Sequence, residues 1–118
     1  MIRVMVNGAN GRMGRTVVQA VEGADDMQLV AAADPTFTPD GTTIFTSVDE
    51  AIAATRPEVA VDFTVPDVAF GTVGACLRAG VHAVVGTTGL TDDQMAELTA
   101  LAESGPANLL VEIGRAHV

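Results

Sequence analysis

The alternation of apolar runs predicts an α/β fold, doubly wound, in which a mostly parallel sheet carries helices on both faces. Three observations predict it. Short apolar runs of strand length alternate with helical patterns of about ten residues or more, the mark of β-α-β crossovers rather than hairpins. Gly8, Gly11 and Gly14 cluster at the first junction between the two kinds of run. Small polar turns follow two later strands, at Thr64 to Asp67 and at Gly86 to Gly89. At 118 residues the chain is long enough for a single domain with a sizeable core and short for two.

Taken in order, Ile2 to Val6 is β-branched, apolar and too short for a helix, so it reads as a strand. Val17, Val18 and Val21 recur at helical spacing after Gly14. Met27 to Ala33 is the second strand, and the Pro-, Thr- and Gly-rich stretch Pro35 to Thr43 is an exposed loop. Thr43 to Phe45 is a short strand, and Ser47 with Glu50 forms a capping box that opens a helix through about Thr55, closed by Pro57. Val59 to Phe63 is the next strand, with Asp67 as N-cap of a helix that runs to Ala79 and stops at Gly80. Val81 to Val85 is a strand, Thr91 with Gln94 is a second capping box, and Met95, Leu98 and Leu101 form a buried helical stripe ending at Gly105-Pro106. Asn108 to Val111 is the last strand.

Composition narrows the class. With 48% hydrophobic residues, 12 glycines and 3% aromatics, the chain is expected to be a soluble α/β protein built from Val, Ala and Leu rather than a disordered segment. A net charge of −9 argues against nucleic acid and anionic membrane as partners, because both demand a basic footprint. The single Cys76 has no partner for an internal disulfide, and neither a charged-then-apolar leader nor a long apolar span is present, so the expected location is cytoplasmic. His82, His117 and Cys76 lack metal-ligand spacing, and no metal site is expected.

The glycine turn is the candidate binding element. Backbone without side chains lets phosphates come close, and free N–H groups at a helix start favour their charge. The spacing G-x-x-G-x-x-G differs from G-x-G-x-x-G, so context has to decide. Asp34 supplies context: it closes the second strand 20 residues beyond Gly14, where a ribose-binding acid belongs. The competing reading leaves the glycines as packing residues and Asp34 as a solvated turn residue. Gly86, Thr87, Thr88 and Gly89 offer free amides and two hydroxyls that could hold an amide-bearing ring, or they simply turn the chain. Thr64, with Phe63, lies at a third strand end; Arg12 meets either a phosphate or solvent. No general acid or base with an orienting partner is visible, so no catalytic residue is assigned.

Together, Gly8-Ala9-Asn10-Gly11-Arg12-Met13-Gly14, Val61-Asp62-Phe63-Thr64-Val65-Pro66 and Val84-Val85-Gly86-Thr87-Thr88-Gly89 resemble the amino-terminal domain of the dihydrodipicolinate reductases, from Met1 to about Val111. The resemblance implies a Rossmann-like, dinucleotide-binding domain spanning residues 1–111. It also implies reduction of 4-hydroxy-tetrahydrodipicolinate with NADH or NADPH in the diaminopimelate route to lysine. By that likeness Gly8, Ala9, Asn10, Gly11, Arg12, Met13 and Gly14 form the pyrophosphate turn, and Asp34 binds the adenosine ribose. Gly86, Thr87 and Thr88 take the nicotinamide side, with Thr64 close to the same ring. The family continues into a substrate domain with a His-His…Lys segment and a Ser-Gly-Thr turn for the dicarboxylate, and its whole enzymes tend to be homotetramers.

Neither that domain nor the family's usual Ala-Pro-Asn-Phe hinge follows Val111 here. The expectation is a truncated domain that binds cofactor without turning substrate over. Glu112 to Val118 is expected to be a non-native tail, because GAG ATC GGA AGA GCA CAC GTC encodes it and matches a common sequencing-library adaptor; different synonymous codons would remove that argument. Two alternatives are a stand-alone nucleotide-sensing module and the first domain of another nicotinamide dehydrogenase, of the aspartate-semialdehyde or homoserine type. The Gly86 to Gly89 turn argues against the second.

Overall fold

The computed structural model describes residues 1–111, so the expectation placed on Glu112 to Val118 lies outside the described residues. Six strands and four helices alternate: β1 (Ile2–Asn7), α1 (Arg12–Glu22), β2 (Met27–Ala33), β3 (Ile44–Phe45), α2 (Val48–Thr55), β4 (Val59–Asp62), α3 (Pro66–Arg78), β5 (His82–Val85), α4 (Asp92–Ser104) and β6 (Leu109–Val111). The strands form one sheet in the order β3-β2-β1-β4-β5-β6, and every pairing is parallel rather than merely most of them. This is the Rossmann-like order, and it reverses direction between β1 and β4.

Strand alternation sorts the core onto two faces. Met5 and Ala60 point toward α2 and α3, where they meet Ala51 and Cys76, while Ala83 and Val85 pack with Val73, Leu77 and Leu98 of α3 and α4. On the opposite face Val4 and Val6 pack under α1 against Val17, Val18 and Val21. Three helices thus lie on one face and one on the other.

Local chemistry sets most ends. The Thr91 hydroxyl accepts the Gln94 amide at 3.1 Å while Gln94 Oε1 accepts the Thr91 amide at 3.0 Å, completing the expected box at α4. At the start of α2 only half of the expected box forms: Ser47 Oγ accepts the Glu50 amide, with no return bond from the Glu50 carboxylate among the described residues. Gly80, at φ +80°, ends α3, with the Val81 amide folding back onto the Cys76 carbonyl. Two starts differ from the sequence reading. The first helix begins at Arg12, ahead of Gly14, and the N-cap of α3 is Val65 rather than Asp67. Pro66 explains the second difference: its fixed φ and missing N–H suit the first helical position.

Candidate functional site

The turn from β1 into α1 is shaped by close backbone contacts. Gly8 has φ +73°, and a Cβ there would stand 2.8 Å from the Phe63 carbonyl oxygen. A Cβ on Gly14 would come within 2.0 Å of the Gly8 carbonyl oxygen, so the first turn of α1 rests directly on the glycine loop. The amides of Gly8 and buried Ala9 both donate to the Ala33 carbonyl, which ties the turn to the end of β2. No side chain caps α1 at Gly11, and the amides of Arg12, Met13 and Gly14 find no acceptor among the described residues. A helix start left open in this way is an anion site in waiting. Arg12 and Met13 have exposed side chains.

Asp34 stands at the end of β2, facing this turn. Its Oδ2 accepts the Asn10 amide at 3.1 Å, and its Oδ1 accepts both the amide and the hydroxyl of Thr36, at 3.0 and 2.7 Å. Asn10 in turn donates from Nδ2 to the Thr36 hydroxyl and accepts from Arg15 through Oδ1. Partial burial alone would push the Asp34 carboxyl up, but the Thr36 and Asn10 donors with the Arg15 charge bring it below the ordinary carboxylate value. Three donors occupy an anion with about four acceptor positions, leaving capacity for a ribose hydroxyl.

The other strand-end loops meet beyond β4 and β5. Thr64 donates its hydroxyl to Asp62 Oδ1 at 2.6 Å, and buried Thr87 donates its own to the Thr64 carbonyl at 2.7 Å. Both hydroxyl protons are therefore already committed. Gly86 lies under the Phe63 ring, where a Cβ would stand 2.2 Å from a ring carbon. Thr88 is exposed beside it. A cavity of about 430 Å³, lined among others by Gly8, Asp34, Pro35, Asp49, Thr64 and Thr72, connects the glycine turn, the end of β2 and the loop after β4.

Gly8, Asp34 and Thr64 thus share one cavity, and Thr87 is bonded to Thr64. Sequence reasoning missed Asp49 and Thr72 on the cavity wall and the buried pair Asn7 and Asp62 behind it. The only signal for Asn7 and Asp62 was polarity at the ends of two apolar strands, and Asp49 and Thr72, within α2 and α3, gave none. His82, for which the sequence offered no partner, accepts the Asn108 amide through Nδ1 at 2.9 Å. Among the described residues no group of His, Cys, Asp and Glu could hold a metal ion, and no helix is long and apolar enough to cross a membrane.

Comparison with known proteins agrees with this geometry. The family model for "Dihydrodipicolinate reductase, N-terminus" matches residues 2–111. The chain belongs to the dihydrodipicolinate reductase family. It corresponds to the amino-terminal, NAD(P)H-binding domain of these oxidoreductases. A 4-hydroxy-tetrahydrodipicolinate reductase of Streptomyces coelicolor is 45% identical over 105 residues, covering 89% of this chain and 38% of its own. The enzyme of that name from Beutenbergia cavernae is 48% identical over 98 residues, 83% of this chain and 35% of its own. Among solved structures, dipicolinate-bound dihydrodipicolinate reductase from Paenisporosarcina sp. TG-14 superposes with a TM-score of 0.84 at 33% identity, covering 94% of this chain and 46% of its own. The chain therefore spans less than half the length of the reductases it matches.

Proposed function

We propose that residues 1–111 hold NADH or NADPH for the reduction of 4-hydroxy-tetrahydrodipicolinate, with the remaining substrate machinery supplied by the rest of a family protein. The observation that carries the reading is the uncapped first turn of α1 opening beside the cavity that Asp34 lines. A dinucleotide fits this chemistry: the amides of Arg12 to Gly14 take the pyrophosphate over a loop where side chains would collide, and Asp34 takes a ribose hydroxyl. Gly8 to Gly11 form the floor of that subsite, and Arg12 lies at its rim. Gly86, Thr87 and Thr88 line the nicotinamide end, with Thr64 beside it. The hydroxyl protons of Thr64 and Thr87 are spent internally, and the Thr64 and Gly86 amides, the latter expected to be free, are taken by Asp62. Those loops therefore offer the ring the amides of Thr87 and Thr88, which have no acceptor among the described residues, and the exposed Thr88 hydroxyl.

When bound, the nicotinamide supplies the hydride. This chain's residues position it and shield one side from water; none of the described residues is assigned to clamp a dicarboxylate. In the whole protein the reading extends to that dicarboxylate as substrate, a homotetramer as assembly and the cytoplasm as compartment. Residues 112–118 are a non-native tail on the same reading. Titration calorimetry tests the core of it: NADH should bind the chain saturably, and Asp34→Ala should weaken binding by about tenfold, the scale of a hydrogen bond to a charged group. Absence of saturable binding to the folded wild-type chain overturns it.

A further inference from the structure

Behind the proposed site lies a polar cluster that touches none of the cavity's anion-binding amides. Asp62, the last residue of β4, is 1% exposed, and its carboxylate is satisfied by neutral donors. Oδ2 accepts the Thr72 hydroxyl of α3 at 2.5 Å and the Asn7 amide group of β1 at 3.1 Å. Oδ1 accepts the hydroxyl and the backbone amide of Thr64, at 2.6 and 3.1 Å. Burying a carboxylate without a cation beside it is costly, and a complete set of donors is what makes it tolerable. A second sign of its hold is Asn7: by turning its Nδ2 toward Asp62 it strands its own Oδ1, which is buried and has no partner among the described residues. An orphaned acceptor is a standing penalty, accepted here for the carboxylate's sake.

The consequence falls on Thr64. Its amide and hydroxyl are held by Asp62, and its carbonyl by Thr87 of the next loop, whose position is fixed again by the Gly86 amide donating to the Asp62 carbonyl at 2.9 Å. The carboxylate thereby fastens the loop after β4 to α3, and the loop after β5 is joined to it through the main-chain carbonyls of Thr64 and Asp62. We propose that Asp62 is a positioning residue, acting with Thr72 to preset the Thr64 and Thr87 loops for the nicotinamide half of the cofactor. The inference rests on the dinucleotide reading above. It assigns Asp62 no contact with the cofactor, since its oxygens face inward onto four donors. An asparagine of the same size would either turn a donor toward the Thr64 amide or make Asn7 turn over and Thr72 donate to the Ala69 carbonyl instead, so in both arrangements the set of four donors is lost. Preset loops spare the complex the entropy of ordering them, so the loss should appear as affinity.

ADP-ribose separates positioning from general damage, because it carries the pyrophosphate and both riboses without the nicotinamide ring. Calorimetry should compare NADH and ADP-ribose on wild type, Asp62→Asn, Thr72→Val and Thr72→Ser, with thermal unfolding run in parallel. The expected result is NADH about tenfold weaker in Asp62→Asn and Thr72→Val, ADP-ribose within about twofold, and recovery in Thr72→Ser, which keeps the hydroxyl. Equal weakening of both ligands, or no weakening of either, overturns the proposal while the site reading stands. A folded wild-type chain that binds neither ligand overturns both. If the variants do not fold, amide exchange in the ligand-free wild type decides: the Thr64 amide should be strongly protected, and exchange at the rate of an open loop overturns the preset geometry.

Discussion

Asp34 holds three hydrogen bonds within the chain, and on the proposed reading its charge bears on which dinucleotide suits the site. Held below the ordinary carboxylate value, it is ionised at neutral pH and, on the proposed reading, would repel a 2′-phosphate on the ribose placed beside it. At about 4 Å that repulsion is on the order of 1–4 kcal/mol before relaxation. Arg15, a cation near enough to offset it, already donates to Asn10. NADH should therefore bind at least as tightly as NADPH, and competition calorimetry finding NADPH tenfold tighter would contradict this. Asp40 offers a pH test of a different kind. Its Oδ1 gathers the amides of Thr42, Thr43 and Ile44 and is held at about 2, so the turn's contribution is complete above 3.8 and lost as the pH falls through about 2. A carboxyl carbon titration of Asp40 centred near 3.8 would show that the turn does not form. At this scale the place of Asp34 beside the glycine turn was legible, because its distance from Gly14 is fixed by one crossover. Asp62 was not, since beyond its neighbour Thr64 its partners Thr72 and Asn7 lie 10 and 55 residues away and only the folded sheet brings them together.

Two helix starts show how elements divide between stability and binding. The start of α4 is closed by Thr91 and Gln94, so Thr91→Ala should cost about 1 kcal/mol of stability and leave cofactor affinity unchanged. The start of α1 is open, and there Gly14→Ala drives a methyl into the Gly8 carbonyl. That change should lower the melting temperature, cost about 1–3 kcal/mol or more, and remove NADH binding as well. Melting curves paired with calorimetry check both, and a Gly14→Ala variant with intact binding would mean the turn does not carry the pyrophosphate. The elements themselves were readable because the apolar period changes at each junction. Their starts were less so: the N-cap of α3 went to Val65, since a proline's fixed φ outweighed the capping preference of Asp67. His82 was unreadable for the reason Asp62 was, its acceptor nitrogen being met by a neighbouring strand 26 residues on.

At the scale of the molecule, binding and chemistry should separate. The chain spans 38% of a relative's length, and on the proposed reading its described residues hold cofactor without clamping a dicarboxylate, while positioning substrate is worth roughly 7–11 kcal/mol of a barrier. An NADH absorbance assay with freshly generated substrate should show no turnover by this chain and activity in one extended with a family substrate domain. Comparable rates from both would contradict the reading. The uneven cover of the sheet has its own outcome. With α1 alone on one side, a hydrophobic trough bounded by Val17, Val21, Val59, Val61 and Val84 opens to water, with Ile2 40% exposed at its margin. The charge of −9 should keep such troughs apart in solution, and it vanishes near an isoelectric pH of 4.3. Solutions of this domain should therefore turn cloudy on mild acidification and clear again when the pH is restored, a colloidal instability that light scattering would register well before any strand or helix melts.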